Sequence, residues 1–218
     1  MKFFFLLVSL FSLISISGCQ SLAEKNPTLK AELTVFHELP NDFKPTTIAI
    51  VPWHQSQKSS LEFKNYAGIL KDRIEKLGFT VIDHSKKPEL LLFFDYGDDK
   101  GKEMTETYTV PDFGMIGYTG YSLNSWAMYP GLPMYGYRGY QTHTNKYTLY
   151  TRYIHIDIAK PKSKDKELDK LFEGSLRSKG TCSKLTSTLP YLIDMFFNNF
   201  PGKNNETQSL EKSWSGVC

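Results

Sequence analysis

Ile154, Ile156 and Ile158 alternate with Tyr153, His155 and Asp157 at the end of the run Lys146–Ile158. A period of two sends the isoleucines to one face and their neighbours to the other, which makes this run a long strand with one face committed to a core. An apolar sheet face needs a covering layer. The clearest cover lies between residues 63 and 77, where Phe63, Ala67, Leu70, Ile74 and Leu77 recur at helical spacing along one face. Ser59 with Glu62 reads as a capping box for this helix, and Gly78 stands where a left-handed C-terminal cap belongs. A second helix is expected after Ser187 or Thr188. It would hold Pro190 in its first turn, bury Leu189, Leu192, Ile193, Phe196 and Phe197, and stop at Pro201-Gly202.

Further strands are expected over Ala31–Phe36, Thr46–Trp53, Phe79–Asp83, Glu89–Tyr96 and Leu171–Lys179. Asp98-Asp99-Lys100-Gly101 carries a turn signal, so Met104–Val110 is expected to return antiparallel on the strand before it. The sum is an α+β fold: a single domain over residues 31–202, with a mainly antiparallel sheet and two helices packed on one face. At 40% hydrophobic and 14% aromatic residues the chain is too apolar for disorder. No apolar run reaches the roughly 18 residues of a spanning helix. A net charge of +3 gives no footprint for nucleic acid.

The N-terminus supplies an address. Lys2 precedes the mostly apolar run Phe3–Ile16, the length of a signal sequence rather than of a membrane span. The following Ile16-Ser17-Gly18-Cys19 resembles the lipobox of bacterial lipoproteins. That resemblance implies a signal peptide over residues 1–18, lipidation of Cys19 and a polar tether over residues 19–30. Gln20 after the cysteine implies, by the same likeness, the outer membrane facing the periplasm. Export implies an oxidising compartment, where Cys182 and Cys218 either pair or remain as two free thiols. A bridge would pin the polar tail, residues 203–218, back on the domain.

Residues 111–140 are compositionally distinct, rich in glycine and tyrosine with prolines at 111, 130 and 133. With no clear period, the segment reads as a loop. Tyr118, Tyr121, Trp126, Tyr129, Tyr135, Tyr137 and Tyr140 offer a binding surface for a protein or a glycan, because tyrosine pairs a large rigid face with a polar tip. The other reading is an irregular loop folded over the sheet, its aromatics completing the core.

No reaction emerges. Asp95, Asp98, Asp99, Glu103 and Glu106 lack the spacing of a helix-flanked calcium loop and fit a solvated turn. His37, His54, His84, His143 and His155 show no zinc-ligand spacing, and no nucleophile elbow is present. No cofactor or metal is called for.

The order of features now resembles a known family. A lipobox, a short strand, an amphipathic helix ending in Gly-Phe, the apolar run Pro-Glu-Leu-Leu-Leu-Phe-Phe, a Gly/Tyr-rich middle, the Tyr-Thr-x-x-Ile-x-Ile-x-Ile strand and a helix ending in Phe-Pro resemble the bacterial lipoproteins that carry domain of unknown function 4136. The likeness covers roughly Leu33–Pro201. More distantly, the layout is similar to curli-secretion lipoproteins and to lipoproteins that activate peptidoglycan synthases. The resemblance implies no catalytic residues. The leading expectation is a non-enzymatic envelope lipoprotein, held by its lipid anchor, that serves an envelope protein partner as accessory, scaffold or assembly factor. The alternative is a module that binds peptidoglycan or lipopolysaccharide glycans through the tyrosines.

Overall fold

The computed structural model describes residues 27–40, 42–118, 133–161, 168–198 and 200–218. Its strands are β1 (Thr28–His37), β2 (Thr47–Pro52), β3 (Thr80–Val81), β4 (Leu90–Asp98), β5 (Lys102–Tyr118), β6 (Pro133–Lys160), β7 (Asp169–Gly180) and β8 (Glu206–Ser213). They form one sheet in the order β3-β2-β4-β6-β7-β1-β8, with β5 paired to β6 outside that path. Helices α1 (Leu61–Lys76) and α2 (Leu185–Phe197) lie against each other over the isoleucine face. The signal segment and Cys19 lie outside the described residues.

The period-two pattern of β6 sets the core. Leu92, Phe94 and Tyr96 of β4 stand opposite Ile158, Ile156 and Ile154, which in turn stand opposite Phe172, Gly174 and Leu176 of β7. Leu33 and Val35 of β1 extend the same rows. Phe63 of α1 packs on Phe94 and Phe196 of α2 packs on Phe172. Asp194, buried on α2, joins the layers by accepting from Arg73 of α1 at 2.6 Å and from Lys212 of β8.

Helix α1 starts one residue later than the capping-box reading. Ser60, not Ser59, is its N-cap and accepts from the Phe63 N–H at 3.2 Å. Its end follows the expectation. Gly78, at φ +95°, donates to Glu75 and Phe79 donates back to Ile74, the paired bonds of a Schellman motif. Helix α2 begins at Leu185, ahead of both Ser187 and Thr188, and has no side-chain cap. Pro190 therefore sits in its second turn, where the hydroxyl of Thr188 bonds back to the Lys184 carbonyl.

The sheet is mixed and, as expected, mainly antiparallel; β2 alone runs parallel to its neighbours β3 and β4, because α1 carries the chain across in a strand–helix–strand crossover. Three expectations are corrected. Asp98–Gly101 is not a reversal. Asp98 pairs with Arg152 and Lys102 with Leu149, so β4 and β5 run in the same direction along β6 with one extra residue between them, a β-bulge. Met104–Val110 consequently continues away from β4 instead of folding back on it. The Gly/Tyr-rich segment is not a loop where it is described, since 111–118 lie in β5 and 133–140 in β6. Finally, the tail holds strand β8, paired with β1, and Thr28–Lys30 of the expected tether already belong to β1.

Cys182 and Cys218 are bonded, with Cα atoms 5.5 Å apart, so the chain end after β8 is fastened beside the start of α2. Their sequence separation of 36 residues implies a chain-entropy stabilisation of about 3–4 kcal/mol. We expect Cys182→Ser with Cys218→Ser to lose about 2–4 kcal/mol in urea unfolding. The disulfide is shown to contribute nothing if reductant leaves the wild-type midpoint unchanged.

Candidate functional site

β6, at 28 residues, is more than twice the length its neighbours in the sheet can pair. Residues 150–160 are held between β4 and β7, while residues 133–149 pair with β5 alone. The result is a two-stranded ribbon that leaves the sheet at the bulge. Asp99 builds that bulge: its carboxylate accepts the N–H groups of Gly101 and Thr151, each at 2.9 Å, and its own N–H donates to the Thr151 carbonyl. The bonds from Thr151 and Gly101 hold the Asp99 carboxyl below its usual range. Gly101, at φ +78°, closes the bulge in a conformation that disfavours side chains.

The register places three of the expected tyrosines together. Near the bulge, Thr105, Thr107 and Thr109 stand opposite Lys146, Thr144 and Thr142. Further out, on the same face, Pro111, Phe113 and Met115 stand opposite Tyr140, Tyr137 and Tyr135. Phe113 meets Tyr137 edge-on at 5.9 Å, and Tyr137 meets Tyr140 in the same manner at 5.5 Å. Tyr135, Phe113 and Tyr140 are 75%, 71% and 70% exposed, so these rings face solvent and complete no core. The backbone of Tyr118 pairs with Pro133. Tyr121, Trp126 and Tyr129 lie outside the described residues, as does Cys19.

A second locus occupies the sheet face opposite the helices. Tyr153, His155 and Asp157 point there because the isoleucines point to the core. Trp53 follows β2 and is held by its N–H on the Phe94 carbonyl, so the indole overhangs Phe93 and stands edge-on to His155 at 5.0 Å. Asp157 is 1% exposed, although its strand face is not covered by a helix. Its oxygens lie 3.0 Å from His155 Nε2 and 2.8 Å from Lys170 Nζ, close contacts whose angles fall short of hydrogen-bond geometry. Burial pushes the Asp157 carboxyl up, but His155 and Lys170 together outweigh it and hold the group below the ordinary range. Asp157 and Glu173 hold Lys170 above its ordinary value. Trp53, Phe93, Asp157, Ala159, Leu168 and Lys170 line a hollow of about 270 Å³.

Each oxygen of the buried carboxylate faces one basic neighbour, His155 on one side and Lys170 on the other, and neither contact has hydrogen-bond geometry. Among the described residues no cluster of three or more His, Cys, Asp or Glu side chains is placed to hold a metal ion. Of the acidic residues between 95 and 106, Asp99 serves the bulge. Trp53, Asp157 and Lys170 went unread in the sequence, where each looks like an ordinary strand-edge or polar-face residue. The signal for Asp157 was its phase against the isoleucines. Nothing in one strand indicates that Lys170 of β7 lies beside it.

At the root of the ribbon Arg152 is wholly buried. Its guanidinium donates to Ser178 Oγ at 3.3 Å and reaches the Cys182 carbonyl at 3.5 Å, while Ser178 donates to the Lys30 carbonyl at 2.7 Å. Burial draws its pKa down, with Asp98 opposing. The residue joins β6, β7, β1 and the disulfide-bearing segment where the ribbon leaves the sheet.

Residues 40–202 match the family described as a domain of unknown function, DUF4136. No curated protein matches. Among solved structures, a PDZ domain protein from Parabacteroides distasonis is similar over 94% of this chain at 17% identity, with a TM-score of 0.39. The chain spans 42% of that protein.

The Asp157 cluster has a pH signature. A depressed carboxylate stabilises the fold above its unfolded pKa, and that contribution is lost as pH falls through the folded value. A raised lysine stabilises below its unfolded pKa and is lost as pH rises through its folded value. Stability should therefore hold across neutral pH and decline at both extremes. Lys170→Met should cost about 1–3 kcal/mol at pH 7, discounted because Lys170 is partly exposed. The deficit should shrink below about pH 4 as Asp157 protonates. Urea titrations of both proteins across pH check this, and a deficit independent of pH would assign Lys170 a packing role only.

Proposed function

The chain belongs to the DUF4136 family, and on that footing we propose that it is a non-enzymatic, lipid-anchored protein of the bacterial cell envelope. It acts as an accessory, scaffold or assembly factor, tethered through Cys19 to the outer membrane and facing the periplasm. The observation that carries this reading is the β5–β6 ribbon. Two-stranded ribbons without a covering layer are marginal in water, yet this one exposes both faces and carries an aromatic strip. Residues spent in that way suit an arm that docks. The open sheet face, with Trp53 over the Asp157–Lys170 pair, is the second contact surface.

The three exposed tyrosines favour a second reading, in which the ribbon stacks on peptidoglycan or lipopolysaccharide sugars. The edge-on packing of Phe113, Tyr137 and Tyr140 argues against it, because rings so turned offer no continuous platform for a saccharide chain.

Intact mass and membrane fractionation of the native protein beside Cys19→Ala test the address. The expected mass is that of Cys19–Cys218 plus acyl chains, with membrane association lost in the mutant. A native protein that is water-soluble and cleaved elsewhere would remove the anchor. Retention on purified sacculi that disappears in Tyr135→Ala with Tyr137→Ala would instead favour the glycan reading.

A further inference from the structure

Three features of the ribbon converge on one partner. The first is where it starts. Ala31 stands level with Ser178, Ser178 with Arg152 and Arg152 with Asp98, so Thr28 stands level with the Leu149–Lys102 pair at the ribbon root. β1 runs away from that end. The chain before Thr28 therefore leaves the sheet on the side from which the ribbon projects.

The second is reach. The nine steps from Cys19 to Thr28 span at most about 30 Å when fully extended. From Lys102 to Asp112 the ribbon extends about 33 Å, and to Tyr118 about 53 Å. The distal third of the ribbon thus stands at or beyond the farthest plane at which a lipid on Cys19 can sit.

The third is charge. Lys102, Glu103, Glu106 and Lys146 mark the proximal ribbon. Asp112 and Arg138 pair at 3.8 Å, and beyond them residues 113–137 contain no Asp, Glu, Lys, Arg or His. Charge stops close to the greatest height at which the tether can hold the membrane surface.

We propose that the distal end of the β5–β6 ribbon, through Phe113, Met115, Tyr135, Tyr137 and Tyr140, docks into the headgroup interface of the same bilayer that holds the acyl chains of Cys19. This rests on the lipid-anchored reading above. The chemistry matches: aromatic side chains with one polar tip settle at the membrane–water boundary, and each buries apolar area there without giving up its hydroxyl bonds. The ribbon therefore lies oblique to the bilayer, its distal part in the interface and not through it. The outer backbone edges of the ribbon are unpaired beyond the sheet, and hydrocarbon would leave those N–H and C=O groups unsatisfied. The protein is then held at two points, which fixes the orientation of its open sheet face relative to the membrane.

The test uses the full lipidated protein in phosphatidylethanolamine–phosphatidylglycerol vesicles, with an environment-sensitive fluorophore on Tyr135→Cys and, as separate probes, on Tyr140→Cys and Thr107→Cys. The native disulfide and the lipid thioether leave the new thiol alone to label. Flotation with the vesicles, about twofold quenching by brominated acyl chains at 135 and 140, and none at 107 is the expected result. Tyr137→Asp should reduce that quenching. Flotation with all three probes open to aqueous iodide and out of reach of bromolipid overturns the proposal and leaves the anchor standing. Shielding of 135 from iodide without bromolipid quenching overturns it in favour of a protein contact. A lipidated mass that is absent, with no flotation, removes the anchored reading and this proposal together.

Discussion

A strand that outruns its neighbours must find partners elsewhere or remain bare, and β6 does both along its length. Its final third is enclosed between β4 and β7, with isoleucines on the helix side and Tyr153, His155 and Asp157 on the other. Its first two thirds carry only β5. One continuous backbone therefore fixes the register of the core, the phase of the open face and the direction of the ribbon. Any displacement of β6 by one residue would exchange isoleucines for ionisable side chains in the core. The rows of Leu92, Phe94 and Tyr96 against Ile158, Ile156 and Ile154 hold that register by burial.

Buried charge appears at junctions between elements. Asp194 links α2 to α1 and β8, Asp157 links β6 to β7 beneath Trp53, and Arg152 links three strands at the ribbon root. Each would be costly alone and is tolerated because a partner stands within reach. Apolar packing sets the distance between layers, and these groups set which end meets which. The disulfide lies at the same end as Arg152, so the part of the sheet that carries the ribbon is also its most heavily fastened part.

What could be read in the sequence follows from locality. α1 was legible because its stripe and Schellman glycine are encoded within one segment, and the isoleucine strand because its period is its own. The bulge reads as a reversing turn for a physical reason. Asp and Gly serve a reversing turn through an Asx bond and a positive φ, and here Asp99 and Gly101 use the same two devices to keep the chain going. Only Thr151, 52 residues on, tells the two apart. The Gly-rich ribbon likewise looked irregular because register shifts at Asp112/Phe113 and Met115/Gly117 interrupt its alternation. β8 reads as a polar tail in the sequence, since its weak pattern becomes a strand only against β1. The site on the open face shared that obstacle, its indole, carboxylate and amine coming from three separate strands or their ends.

The bulge at Asp99–Gly101 has a consequence for descent. Three residues there face two, and the pairings on either side would survive unchanged if the extra one were lost. The core would keep its rows and the ribbon its aromatic strip; only the bend between them would alter. The loss of a single codon at this point thus turns the arm toward a different plane without asking any other residue to change.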